Sequence, residues 1–138
     1  NRQGSMDSNR PTPTLKKVLC IEDEHFIGEL YARALEKAGY DVDVEIDGQK
    51  GLDAAQTDKY DIILLDLMVP SITGMEILNT LRDSSQTPKL HARVIITTNL
   101  EQREDVRQHI ESQADGYIVK ASITPNELAD FLANLEPA

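Results

Sequence analysis

The chain has 138 residues, a formal net charge of −10, one cysteine and no tryptophan. Its length is typical of a single domain that encloses one hydrophobic core. The acidic balance argues against direct nucleic-acid binding by this domain, because phosphate contacts need Lys and Arg, and it favours a divalent cation or a basic partner. The lone Cys20 excludes an internal disulfide, and its aliphatic neighbours predict a buried thiol in a protein of the reducing cytoplasm.

The first fourteen residues differ in composition from the rest. Residues 1–14 are polar and proline-bearing, and the segment before Met6 is typical of an expression scar. We therefore expect a flexible tail over residues 1–14 and one folded domain over residues 15–138. No stretch approaches the length of a membrane span, and no secretory signal is visible, so we expect no membrane contact.

The next segments alternate between strand-like and helix-like patterns. An apolar run at residues 18–21 predicts strand one, and aliphatic residues at helical spacing after it predict a first helix. Residues 41–46 alternate between acidic and aliphatic side chains, which predicts strand two with Val42, Val44 and Ile46 facing inward. A short helix follows.

The third strand is the most informative stretch. Residues 61–66 consist of four aliphatic residues between two aspartates, a pattern typical of a parallel strand that is buried on both faces. Asp66 closes the run where the strand leaves the core. Pro70 and Gly74 predict a turn there, and a third helix is expected from about Thr73.

The second half of the chain continues the alternation. Residues 93–98 predict strand four, and residues 101–112 predict a strongly polar fourth helix that is anchored only by Val106 and Ile110. Such a helix packs weakly and can shift. Residues 116–119 predict strand five.

The last helix has a clear start, because Thr124, Pro125 and Glu127 form a capping box with proline at the first helical position. Five repeats of strand and helix predict an α/β fold, with a parallel five-stranded sheet and helices on both of its faces.

Polar side chains follow four of the five predicted strands. Open parallel sheets bind ligands at the edge where the carboxyl ends of the strands lie. We therefore expect five residues to converge although they are distant in the chain: Glu22, Asp23, Asp66, Thr98 and Lys120.

Three carboxylates in one crevice repel each other unless a cation joins them, and Mg²⁺ prefers such oxygen ligands. We expect Asp23 and Asp66 to be direct ligands, Glu22 to help directly or through water, and the backbone carbonyl of Met68 to supply another oxygen. A free oxygen of Asp66 is then a candidate nucleophile for a phosphoryl group. The Lys120 ammonium would neutralise the charge of that group.

Each residue also has a simpler interpretation. Asp66 could cap a turn, the acidic run at residues 22–24 could be a solvated turn, and Thr98 could cap a helix. Lys120 could be a surface lysine, and Tyr117 could be core or interface. The functional interpretation is favoured only because all of these residues lie on one predicted edge. The three histidines show no metal-binding spacing and are expected at the surface: His25, His91 and His109.

These motifs resemble the receiver domain of two-component response regulators over about residues 15–136. The matching pieces are the acidic pair Glu22-Asp23, the run from Leu64 through Asp66 to Pro70 with Gly74, Thr98, and the segment from Ala114 through Tyr117 to Lys120. The resemblance implies a flavodoxin-like fold with strand order 2-1-3-4-5 and five helices. It also implies that Asp66 accepts a phosphoryl group, with Mg²⁺, from a sensor histidine kinase or a phosphotransfer protein.

The resemblance further implies a switch pair, Thr98 and Tyr117. They would reshape the face formed by helix 4, strand 5 and helix 5, which signals to a partner or forms a homodimer. The domain would not turn over an external substrate, since it only takes and loses its own phosphoryl group. The main alternative is a pseudo-receiver, a protein-binding module that is never phosphorylated. An aspartate-dependent phosphatase and a flavin-binding protein are further alternatives.

Four positions beside the expected site bear on its behaviour. Ala121 replaces the proline that usually follows the lysine, which leaves the isomer of the Lys120–Ala121 bond open. Asn99 stands where the family usually has a small residue. Met68 and Leu100 are apolar and offer no group to orient an attacking water, so we expect a long-lived aspartyl phosphate.

Overall fold

The structure is a computed structural model that describes residues 14–137. The predicted tail at residues 1–14 therefore lies, apart from Thr14, outside the described residues. Strands and helices alternate in the following order: β1 (Lys17–Ile21), α1 (His25–Lys37), β2 (Asp41–Glu45), α2 (Gly48–Ala55), β3 (Ile62–Asp66), α3 (Gly74–Arg82), β4 (Arg93–Thr98), α4 (Glu104–Gln113), β5 (Gly116–Val119) and α5 (Pro125–Ala133). A short 3₁₀ turn, Lys120–Ser122, joins β5 to α5.

The strands form one parallel sheet in the order β2-β1-β3-β4-β5. This result confirms the predicted α/β, flavodoxin-like fold and its strand order. The register sets Asp66 beside Thr97 of β4, and Thr98 beside Val119 of β5. All the strands point the same way, so the residues that follow them meet at one edge of the sheet.

The core consists of two layers, one on each face of the sheet. Alternate residues of β3 serve the two layers, because side chains of a strand point to opposite faces. Ile63 packs with α2, α3 and α4, whereas Ile62 packs with α1 and α5. All five residues of β3 are buried, as predicted. Cys20 is buried as expected, and burial raises the pKa of its thiol to about 12.

Side-chain caps define where two helices begin. The predicted capping box of Thr124 and Glu127 is present at α5, and Thr73 and Glu76 form a second one at α3. Each such cap contributes about 1 kcal/mol by satisfying backbone N–H groups of the first turn. Among the described residues, every helix is too short or too polar to cross a membrane.

The prediction for β2 was partly wrong. Val42 packs against the core, but Val44 and Ile46 are 37% and 53% exposed. β2 is an edge strand, and the part of α1 that faces Val44 is Gly28, which has no side chain to cover it. Ile46 lies beyond the end of the strand.

The fourth helix begins three residues later than predicted, at Glu104 instead of Glu101. Its predicted first turn is replaced by an irregular segment whose polar groups bond elsewhere. The backbone N–H of Gln102, for example, donates to the hydroxyl of Tyr117 at 3.0 Å. An N–H group in the first turn of a helix has no acceptor within the helix, so this bond to β5 satisfies a donor that the predicted helix would leave open.

His91 lies at the opposite edge of the sheet from the carboxyl ends, between two carboxylates. Its Nδ1 is 2.7 Å from Asp58 Oδ1, and its Nε2 is 3.0 Å from Asp61 Oδ1. A neutral imidazole carries one N–H, so only the charged ring can donate to both carboxylates. Hydrogen bonding to Asp61 accordingly raises the pKa of His91, against a smaller opposing effect of burial.

We expect the free energy of unfolding to fall as the pH rises through the folded-state pKa of His91, and this fall to be smaller in His91→Gln. The folded chain holds the proton more tightly, so the stabilisation is complete below the ordinary value of 6.5 and is lost above the raised one. Because half of the ring is exposed, we expect His91 to contribute less than about 1 kcal/mol to the free energy of unfolding. Urea denaturation between about pH 6 and pH 8 measures the difference. His109→Gln is the control, and equal profiles for wild type and His91→Gln would contradict the prediction.

Candidate functional site

The residues after β1, β3 and β5 meet at the carboxyl edge of the sheet. Glu22 directly follows β1, Asp66 ends β3, and Lys120 follows β5. The Nζ atom of Lys120 lies 2.6 Å from Glu22 Oε1 and 3.1 Å from Asp66 Oδ2. All three side chains are buried, with at most 8% of their surface exposed. The structure therefore joins two strand-end carboxylates through one ammonium group.

Asp23 completes an acidic cluster at this edge. Carboxylate oxygens of Glu22, Asp23 and Asp66 all lie within 4.8 Å of one another. Glu22 and Asp66 are buried, whereas Asp23 is exposed, so the cluster opens to solvent on the Asp23 side. Three hard oxygen donors facing one ammonium fit a divalent cation of the Mg²⁺ type, because a second positive charge would offset the remaining repulsion.

The pKa values of Glu22 and Lys120 are both raised in the folded protein. Burial raises the pKa of Glu22 to about 7, although the ion pair with Lys120 works to lower it. Burial also works to lower the pKa of Lys120, but the ion pairs with Glu22 and Asp66 raise it overall. Lys120 therefore stays an ammonium, and a bound cation would compete with a proton for Glu22.

Hydrogen bonds hold Asp66 and the loop after β3 in place. Asp66 Oδ1 accepts a hydrogen bond from the backbone N–H of Met68 at 3.1 Å. The backbone N–H of Leu67 donates to Thr97, and that of Gly74 donates to Leu67. A side chain at Gly74 would collide with the backbone of Asp66 and Leu67, which is the physical reason for glycine in the predicted turn.

Thr98 is buried at the end of β4, but its hydroxyl is engaged with the following loop and not with Asp66. It donates to the carbonyl of Leu100 at 3.1 Å and accepts from Nε2 of Gln102 at 3.3 Å. A hydroxyl carries one O–H, so Thr98 has to release the Leu100 carbonyl before it can donate to a group on Asp66.

Tyr117, on β5, is half-buried and its ring is held from several sides. Its hydroxyl accepts from the backbone N–H of Gln102 at 3.0 Å and donates to Glu101 Oε1 at 3.2 Å. The guanidinium carbon of Arg107 lies 5.0 Å from the ring centre, and Arg107 also pairs with Glu101. Burial raises the pKa of Tyr117, so the hydroxyl stays a donor. Sequence reasoning missed Glu101, Gln102 and Arg107, because polar residues in a surface segment carry no local signal of these contacts.

The remaining predicted positions follow the ends of β3, β4 and β5. Met68 and Leu100, which follow β3 and β4, are 66% and 74% exposed. Asn99 and Ala121 line, with Lys120, a cavity of about 300 Å³ beside α1 and the start of α5. The described residues contain no cis peptide bond, so the Lys120–Ala121 bond is trans.

Comparisons with known proteins point to one family. The family model for the response regulator receiver domain matches residues 18–133. Response regulator ArlR of Staphylococcus saprophyticus is 38% identical over 121 residues, which make up 88% of this chain and 51% of that protein. The chain therefore spans about half the length of the curated relatives that it matches.

Solved structures show the same fold. The chemotaxis protein CheY4 of Vibrio cholerae superposes with a TM-score of 0.74 at 28% identity, covering 88% of this chain and 99% of that one. A response regulator of Burkholderia pseudomallei, solved with a phosphorylated aspartic acid, a calcium ion and citrate, has a TM-score of 0.67 at 26% identity. That match covers 83% of this chain and 65% of the other.

Proposed function

Because the chain belongs to the response regulator receiver domains of two-component systems, we propose that it accepts a phosphoryl group on Asp66 in a Mg²⁺-dependent reaction. One observation carries the proposal: the buried Asp66 carboxylate lies 3.1 Å from a buried ammonium and within reach of two further carboxylates. The similar response regulator of Burkholderia pseudomallei was solved with a phosphorylated aspartic acid and a calcium ion, which supports phosphorylation of an aspartate here.

The donor set supports a magnesium site. Asp23 and Asp66 would be direct ligands, Glu22 would help directly or through water, and the carbonyl of Met68 would supply a further oxygen. When bound, Mg²⁺ supplies positive charge beside the transferred group. The exposure of Asp23 gives the ion a path from solvent.

The residues of the chain have separate roles in the transfer. A carboxylate oxygen of Asp66 attacks the phosphorus of a phosphohistidine donor, so that an O–P bond forms while the N–P bond breaks and its electron pair stays on the imidazole. The Lys120 ammonium neutralises charge on the phosphoryl oxygens. The Thr98 hydroxyl then leaves the Leu100 carbonyl and donates to a phosphoryl oxygen, and Tyr117 follows it inward.

The partners follow from these steps. The donor is a sensor histidine kinase or a phosphotransfer protein of the cytoplasm. The movement of Thr98 and Tyr117 reshapes the face formed by α4, β5 and α5, which signals to an output partner or to a second copy of the chain. This domain itself makes no direct nucleic-acid contact and only takes and loses its own phosphoryl group.

Intact-mass measurement after incubation with acetyl phosphate tests the proposal. We expect one phosphoryl addition in the presence of Mg²⁺ and none after chelation, because the three clustered carboxylates repel the incoming anion when no cation is bound. No addition under either condition would contradict the proposal and favour the pseudo-receiver.

The lifetime of the aspartyl phosphate depends on groups that orient water. Leu100 and Met68 are exposed apolar residues two positions after Thr98 and Asp66, and neither offers a group to orient a water, so we expect slow hydrolysis. Leu100→Gln should hasten it by about tenfold or less, since orienting a water falls below the ~10²–10⁴-fold of full general acid–base catalysis. Decay of the phosphorylated mass over time measures the rate. The control is Phe131→Gln, which changes an exposed apolar side chain on α5, and an unchanged lifetime in Leu100→Gln would overturn the expectation.

A further inference from the structure

Among the described contacts of the switch pair, Gln102 is the residue that touches both members. Its side-chain Nε2 donates to the hydroxyl of Thr98 at 3.3 Å and to the carbonyl of Leu100 at 3.1 Å. Its backbone N–H donates to the hydroxyl of Tyr117 at 3.0 Å. One residue therefore links the end of β4 to the ring on β5.

The contacts of Gln102 all favour the arrangement seen in the structure. The Thr98 hydroxyl points to the Leu100 carbonyl, and the Gln102 amide bonds to both of those oxygens, which closes a small ring of hydrogen bonds. If Thr98 turns towards Asp66, Nε2 of Gln102 loses one acceptor. If Tyr117 moves inward, the backbone N–H of Gln102 loses its acceptor as well. Each movement therefore breaks a hydrogen bond that Gln102 donates, which costs free energy.

The position of Gln102 is also constrained by its surroundings. It lies in the irregular segment before α4, where the helix that the sequence pattern predicts is absent. Glu101, the preceding residue, accepts from the Tyr117 hydroxyl and pairs with Arg107 on α4 at 3.3 Å. Gln102 is therefore held between the site and α4, the helix whose position the signalling face depends on.

We infer that Gln102 is a positioning residue that holds Thr98 and Tyr117 in the resting arrangement and so sets how readily the domain switches. The inference rests on the proposed function, because it concerns the same switch. Replacing the Gln102 side chain with a non-donating one of similar shape frees Thr98 without touching Asp66, Lys120 or the acidic cluster. The equilibrium then moves towards the arrangement that favours a phosphoryl group.

Gln102→Met is the test variant, since methionine keeps the length of the side chain and removes its N–H donors. We expect phosphorylation by acetyl phosphate with Mg²⁺ to be about 2- to 10-fold faster than in wild type, which corresponds to the net loss of one hydrogen bond. Mg²⁺ with beryllofluoride, a phosphoryl mimic, should bind more tightly by the same factor. A merely structural role would lower the melting temperature and leave the rate equal or slower, so either of those rate results overturns the inference.

Gln108→Met is the matched control. Gln108 lies on α4, where its Nε2 donates to Glu104 at 3.0 Å, remote from the switch pair. Its rate should equal that of wild type. If the phosphorylation rate rises as much in Gln108→Met as in Gln102→Met, the inference is overturned. The effect would then come from weaker packing of α4 in general.

A second readout separates this inference from the proposed function. In the free protein, the methyl resonance of Thr98 should shift in Gln102→Met, which removes the bond from Nε2 to the Thr98 hydroxyl, and stay in place in Gln108→Met. If wild type takes up neither phosphoryl group nor beryllofluoride, the proposed function fails, and the Thr98 resonance still decides whether the Gln102 side chain holds Thr98. An unshifted Thr98 resonance in Gln102→Met would then refute the inference by itself.

Discussion

Asp66→Ala is expected to gain no phosphoryl group under conditions in which the wild-type chain gains one. The substitution removes the only nucleophile that the proposed reaction uses, so the loss should be complete. The Lys120 ammonium keeps its partner Glu22, 2.6 Å away, so the variant should still fold. Intact mass after acetyl phosphate and Mg²⁺ gives the result, and a thermal melt of the same sample shows that the chain is folded.

The control for this experiment is Asp53→Ala, which removes an exposed carboxylate on α2 whose side chain accepts a hydrogen bond from Gln49. It should be phosphorylated like wild type. Phosphoryl addition to a folded Asp66→Ala would place the acceptor elsewhere. If wild type is never phosphorylated while it folds normally, the pseudo-receiver becomes the better description.

Lys120→Met is expected to lower both stability and phosphoryl uptake. Among the described residues, the buried Lys120 ammonium is the cation that pairs with both Glu22 and Asp66. Its removal therefore leaves two buried carboxylates without a counter-charge. Breaking such a pair costs about 3–5 kcal/mol. The rate of phosphorylation should fall by about 10²–10³-fold, the usual effect of losing one group that stabilises developing negative charge.

The stability that Lys120→Met loses should depend on pH through the protonation of Glu22. Burial raises the pKa of Glu22 to about 7, so the folded chain binds this proton more tightly than the unfolded chain does. The resulting stability is complete below the ordinary value of 4.5 and is lost as the pH rises through about 7. Without Lys120, the pKa of Glu22 should rise further, so the deficit of Lys120→Met should be larger at about pH 8 than at about pH 5.

Urea denaturation at the two pH values measures this deficit. Lys17→Met is the control, because Lys17 pairs with Asp41 at 3.0 Å at the exposed edge of the sheet. It should show little change in stability and none in phosphoryl uptake. If Lys120→Met loses the same unfolding free energy at both pH values, Lys120 acts through packing and not through the charge of Glu22. Full phosphorylation of Lys120→Met would remove its proposed role.

The sequence by itself determined the architecture and the members of the acidic site. β3 was recognisable because a strand that is covered on both faces needs an unbroken apolar run. The carboxylates could be placed together because parallel strands end at the same edge of the sheet. Residues at the ends of different strands therefore lie near one another in space. The start of α5 was predictable for a local reason, since its cap is made within four consecutive residues.

Only the tertiary structure decided which faces are covered and which side chains hold the switch pair. Val44 has the same local pattern as Val42, but the residue opposite it on α1 is a glycine that lies far away in sequence. The sequence pattern also extended α4 over Gln102, whose N–H in the structure donates to Tyr117 on β5 just before the helix begins. Such contacts join polar residues that are distant in the chain, and a polar side chain can bond in any direction. Periodicity records which face of an element is apolar, so it carries no information about these partners.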